Sequence, residues 1–199
     1  MSEKILVLGL PRTGTTSFCA ATLDLGFPTA HTAYTDKAIK KATVIADAPV
    51  FCDYPNLYEQ YPTAKFILLH RDFRLWIPSI RQLLLRMHTN VTRSDGGFSP
   101  TIKRVYTTVF SPFTIENINS DSFLIDCYQQ HSKQVREFCD INKVPLLELD
   151  ISEEGSEQAL VDFLAIKTEP FTFPHVNKAG KVIYWNKIKH PLKVNALEK

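Results

Sequence analysis

The chain has little from which to build a disulfide framework or a metal cage. Its 199 residues include four cysteines, Cys19, Cys52, Cys127 and Cys139, which are scattered, with no Cys-x-x-Cys pair and no Cys/His ligand spacing. That pattern implies reduced, mostly buried thiols in a cytosolic setting. No apolar run approaches the ~20 residues of a membrane span, and the short run after "MSEK" is too brief for a secretory signal. Charge of one sign is not in excess either. Lys and Arg number 23 against 21 Asp and Glu, a net of +2, which does not suit a coat for nucleic acid. Glycine is scarce, 7 residues against 12 prolines, which argues for many short connections and against low complexity. The expectation is a single cytoplasmic domain over residues 1–199, with neither nucleic acid nor membrane as partner.

What charge there is lies unevenly. Residues 71–104 carry seven Lys/Arg against two Asp, a local +5 in a chain of net +2. A small anionic ligand would account for such a cluster, and so would a solvated basic helix face.

Four continuous apolar runs, residues 5–8, 43–46, 66–69 and 145–149, read as strands covered on both faces, as in a parallel sheet. Helical patterns fall between and after them, over residues 15–25, about 75–87, 122–138 and 157–166. Pro78 is compatible with the second of these if it lies in the first turn. The alternation predicts an α/β protein in three layers, a mostly parallel sheet of four to five strands flanked by helices. Residues 89–119 are turn-rich and mix aromatic and polar residues without a clear period, which predicts a lid or acceptor-binding segment or a surface excursion. Ligands of such sheets sit at the carboxyl ends of the strands. Residues 9–16, Asp47 and residues 70–72 all fall there.

The stretch "GLPRTGTTS" follows the first run and opens the first helix. Gly9-x4-Gly14 has the spacing of a Walker A loop, but Thr15 stands where the lysine that reaches nucleoside β/γ-phosphates belongs. A basic residue appears inside the loop instead, as Arg12. The amides that begin the helix can hold an anion, Gly14 permits close approach, and the hydroxyls of Thr15 and Thr16 and the Arg12 guanidinium add donors. A tight strand–helix turn is the plainer alternative.

With its internal basic residue, Pro11-Arg12-Thr13-Gly14-Thr15-Thr16 resembles the 5′-phosphosulfate loop of sulfotransferases that use 3′-phosphoadenosine 5′-phosphosulfate (PAPS). The commoner residue at the Arg12 position is Lys. A second motif, "LLHRDFRLWIPSI", is similar to the family's 3′-phosphate site, with Arg71 and, eight residues on, Ser79. Here Phe73 replaces the usual proline. The resemblance covers most of residues 5–178 and implies a P-loop NTPase-like fold. It further implies sulfuryl transfer from PAPS, with product adenosine 3′,5′-bisphosphate (PAP), to a small-molecule or glycan acceptor without a metal. The implied donor-binding residues are Arg12, Thr13, Gly14, Thr15, Thr16, Ser17, Arg71 and Ser79, with Arg12 also serving transfer. The family's base lies near the end of the second strand. Asp47 is the first candidate, ahead of Asp53 and His31, although a turn or cap before Pro49 would also explain it. Lys178 and Lys181 are candidates for a basic loop at the 3′-phosphate. His175 reads as part of a packed turn, Trp76 as core, and His70 as facing away from Arg71.

Overall fold

The structure, a computed structural model, describes residues 3–174 and 184–198. Five strands form one sheet: β1 (Ile5–Val7), β2 (Thr29–Ala30), β3 (Val44–Ile45), β4 (Lys65–Leu69) and β5 (Leu146–Leu149). Their order is β2-β3-β1-β4-β5, and every pairing is parallel. The helices are α1 (Thr15–Asp24), α2 (Asp36–Lys41), α3 (Val50–Gln60), α4 (Phe73–Thr92), α5 (Pro100–Val109), α6 (Ile115–Asn119), α7 (Asp121–Asn142), α8 (Ser156–Leu164) and α9 (Tyr184–Lys187).

The continuous apolar runs are explained by burial on both faces. In β1, Leu6 and the following Leu8 join a core with Tyr54, Leu57, Val135 and Cys139 from α3 and α7. Ile5 and Val7 point the other way, toward Phe18, Cys19 and Leu160 from α1 and α8. β4 alternates likewise, Phe66 and Leu68 to the first core and Ile67 and Leu69 to the second. A strand with helices on both sides has no use for polar alternation. The α/β fold, in three layers around a parallel sheet, is therefore as expected. β2 is too short, at two residues, to be seen as a run.

A third apolar cluster lies beyond the carboxyl ends of β1 and β3 and joins α4, α5, α6 and α7 around Trp76, Phe110, Leu124 and Tyr106. Residues 89–119, which show no clear period on a first reading of the sequence, are largely helical. α4 continues to Thr92, and α5 and α6 occupy most of residues 93–119. The starts of both short helices are capped by side chains, Ser99 accepting from Ile102 N–H and Thr114 from Asn117 N–H. Their apolar positions pack into the third cluster, Ile102, Val105, Tyr106 and Val109 of α5 at helical spacing and Ile118 of α6. Pro78 differs from the expectation. α4 starts at Phe73, which puts Pro78 in the second turn. Proline has no N–H for the Arg74 carbonyl, and the helix continues because Trp76, Ile77, Ile80 and Leu84 are buried around that point.

Candidate functional site

The loop after β1 is closed by its own hydrogen bonds. The Leu10 carbonyl accepts from both the backbone N–H and the hydroxyl of Thr13, at 3.2 and 2.8 Å. Arg12 takes a positive φ of 77° and Gly14 one of 103°. At Gly14 a side chain would be strained by the backbone and would also meet Ile151 Cδ1 at 2.6 Å. A Cβ at Gly9 would lie 2.6 Å from that of Leu69. The two glycines of the motif therefore answer to different demands, close packing on β4 at Gly9 and left-handed backbone at Gly14. Trp76, fully buried as expected, donates its indole N–H to the Pro11 carbonyl at 3.0 Å.

Gly14 begins α1, and no side chain caps that helix start, nor is there an acidic residue in its first turn. Its leading amides are thus open to an anion. Arg12 Nε donates to Ser79 Oγ at 2.7 Å, and Arg71 Nη1 donates to the Arg12 carbonyl at 2.8 Å. Arg71 N–H in turn donates to the Tyr128 hydroxyl at 3.1 Å. The two motifs, far apart in the sequence, are thus one hydrogen-bonded unit. Asp72 does not neutralise Arg71. It caps α4, accepting from Arg74 N–H at 2.6 Å. Among the described residues neither Arg12 nor Arg71 forms an ion pair with a carboxylate. Burial, and after it the charges of Arg71 and Arg86, lower the pKa of Arg12. An anion in the cavity would relieve both effects.

Asp47 follows β3 with φ 51°. Its Oδ1 accepts from Ala48 N–H at 2.7 Å and its Oδ2 from the Thr15 hydroxyl at 3.3 Å. His31 follows β2, and its Nε2 shares hydrogen bonds with Thr16 Oγ1 at 2.9 Å and Thr15 Oγ1 at 3.3 Å. Asp47 Oδ2 lies 3.8 Å from the same nitrogen. Burial lowers the His31 pKa, Asp47 opposes the shift, and Lys193 adds to it. The residue in the Walker lysine position thus directs its hydroxyl at a carboxylate and an imidazole.

One cavity of about 750 Å³ opens among these elements, a size suited to a small-molecule ligand. Residues 12–17, Arg71, Ser79, Asp47 and His31 meet there. Asp53 does not. It pairs with Arg104 through two hydrogen bonds of 2.7 Å, on α3 away from the cavity. Its candidacy as a base is corrected by that placement. His70 is engaged by Glu148 at 2.6 Å and Tyr128 at 3.2 Å. His175, Lys178 and Lys181 lie outside the described residues. The four cysteines are unpaired, three of them buried.

The chain matches the model of a sulfotransferase domain family over residues 4–182. It belongs to that family. Among curated proteins no match is found. A sulfotransferase domain is a transferase domain, and the chemistry of its family is movement of a sulfuryl group. Several lining residues of this sulfotransferase were not singled out from the sequence. Asp150, Ile151 and Ser152 follow β5 and line the cavity beside the loop. The rule that picked out the other strand ends applies to them equally. Tyr34 lines it too. So does Tyr106, which the sequence offers, with Phe110 and Phe113, as suited to a ring-bearing acceptor or to the core. No helix among the described residues is long and apolar enough to cross a membrane.

Proposed function

We propose that the domain transfers the sulfuryl group of PAPS to an acceptor hydroxyl or amine, with Arg12 and Asp47 as the residues that act on the reacting atoms. One observation carries the reading. Two guanidiniums without carboxylate partners flank an uncapped helix start in one cavity, an arrangement that calls for a ligand with more than one anionic group. In this reading the amides of Thr15, Thr16 and Ser17 and the Arg12 side chain hold the 5′-phosphosulfate, and Arg71 with Ser79 holds the 3′-phosphate.

When bound, PAPS supplies an activated sulfuryl group on a phosphate leaving group. Arg12 and the α1 amides stabilise the charge that collects on the 5′-phosphate oxygen as its bond to sulfur breaks. The acceptor oxygen forms the new bond to sulfur, and its proton passes to Asp47, which carries no competing ion pair with Lys or Arg among the described residues. The hydrogen bond from Arg71 to the Arg12 carbonyl keeps the two phosphate sites in register, which serves in-line geometry.

Thermal unfolding tests the donor. Stabilisation follows RT ln(1 + [L]/Kd), about 2.7 kcal/mol at a hundredfold excess over Kd. PAP and PAPS are expected to raise the unfolding temperature, and ATP with Mg²⁺ is not. A response to ATP–Mg²⁺ without one to PAP would overturn the proposal in favour of a nucleotide kinase.

A further inference from the structure

The cavity extends past the anion site, and its two ends differ in chemistry. The charged lining residues Arg12, Arg71, Asp47 and Asp150 all stand at strand ends. A second part of the lining comes from α4 beyond Ser79, from Phe98 and from α5, through Gln82, Leu83, Met87, Ile102 and Tyr106. None of these is charged. Leu83, Met87, Ile102 and Tyr34 also pack on the third apolar cluster, so this wall is the exposed edge of a hydrophobic core.

Two of the nearby cations are engaged elsewhere, and the third, Arg86, acts on Arg12 rather than on the apolar wall. Arg104 binds Asp53, and Lys103 Nζ donates to the carbonyls of Arg93 and Gly96. Arg86 is exposed and outside the lining. The hydrogen-bonding side chains on this side are few: Gln82, Thr32 and the two phenols of Tyr34 and Tyr106, the first phenol sharing a hydrogen bond with Thr32. Burial and the charge of Asp47 push the Tyr34 pKa up to about 12 and that of Tyr106 well above its ordinary value. Both phenols therefore remain neutral donors beside Asp47. α5 is held in this position by the edge-on contact of Tyr106 with Phe51, 5.9 Å between centroids.

From this asymmetry, and resting on the sulfotransferase reading above, we infer that the acceptor is an apolar alcohol or phenol, seated on Leu83, Met87, Ile102 and Tyr106 with its hydroxyl at Asp47. A sugar entering the same space would leave most of its hydroxyls against aliphatic carbon, and unmet hydrogen bonds make such binding weak. An apolar body loses nothing there and gains from burial. The phenols of Tyr34 and Tyr106 can orient the single hydroxyl of such a molecule, and the strand-end charges are left to the donor.

Binding of 2-naphthol to the full-length protein, with and without saturating PAP, is the test, with N-acetylglucosamine as the polar comparison. The expected result is at least tenfold tighter binding of 2-naphthol than of the sugar. It should weaken at least tenfold in Ile102→Asp while the PAP-induced thermal shift is retained. Equal or tighter binding of the sugar, or naphthol affinity unchanged in a folded Ile102→Asp, overturns the inference. If Ile102→Asp does not fold, Phe98→Ser is read by the same criterion, and if neither folds the wild-type preference decides. Loss of the PAP response with naphthol binding intact would sink the donor assignment and leave the apolar site standing.

Discussion

Arg71 has two tasks in this structure, and its substitution separates them. Its Nη1 carries the Arg12 carbonyl, while the rest of its guanidinium faces the cavity. Arg71→Ala should therefore weaken PAP binding by tenfold or more, and adenosine 5′-phosphosulfate, which lacks the 3′-phosphate, by a smaller factor that reports the loosened loop. Isothermal titration with both ligands measures the difference, and equal losses would remove the 3′-phosphate role. Asp47 offers a different readout. Its Oδ1 and Oδ2 accept from Ala48 N–H and the Thr15 hydroxyl, and Asn keeps one acceptor oxygen of the two. Asp47→Asn should retain PAP affinity within about threefold and lose turnover by roughly 10²-fold or more. Unchanged turnover would dismiss Asp47 as base and pass the role to His31, whose nitrogen lies 3.8 Å away.

At the scale of elements, α7 shows how a buried titratable group ties a helix to the sheet. His131 Nε2 donates to the Leu8 carbonyl at 2.7 Å, just where the anion loop begins. Burial pushes its pKa down to about 4, even though that hydrogen bond opposes the shift. The unfolded chain, with an ordinary histidine near 6.5, binds a proton more readily over the interval between. The stability gained by keeping His131 neutral is thus present above pH 6.5 and lost as pH falls toward 4. The loss amounts to roughly 3 kcal/mol. Urea midpoints measured at pH 7 and at pH 4.5 should show this fall in the wild type and a shallower one in His131→Gln. A parallel fall in both would assign acid sensitivity elsewhere. α5 did carry a periodic trace, since Ile102, Val105, Tyr106 and Val109 stand at i, i+3, i+4 and i+7 and all four meet the third cluster; the turn-rich residues before it obscure that signal.

Over the whole molecule, a net charge of +2 conceals an uneven distribution, with Arg12 and Arg71 lining the cavity beside Asp47 and Asp150. Arg71 and Arg86 both act on Arg12 and Asp47 opposes them, so the local charge is set by a few groups rather than by the net charge. Binding of a multiply charged ligand to such a site is screened by salt. PAP affinity should fall by roughly threefold or more between about 50 and 300 mM KCl, and by less in Arg71→Ala. Titrations at the two concentrations check this, and a salt-independent Kd would argue against paired phosphate contacts.

The strand runs, the loop after β1 and the Arg71/Ser79 spacing were legible because each is written in neighbouring residues. A doubly covered strand needs consecutive apolar side chains, and an anion loop needs glycines at set intervals. By those local demands the sequence alone determined an α/β sheet and the two segments, around Arg12 and Arg71, that line the cavity together. The tertiary structure decided what no local demand records. It turned Asp53 to Arg104, brought His31 beside Thr16 and Asp47, continued α4 through Pro78, and set α5 as the apolar wall. Each of these depends on which distant surface a side chain meets, and that is fixed only when the layers pack.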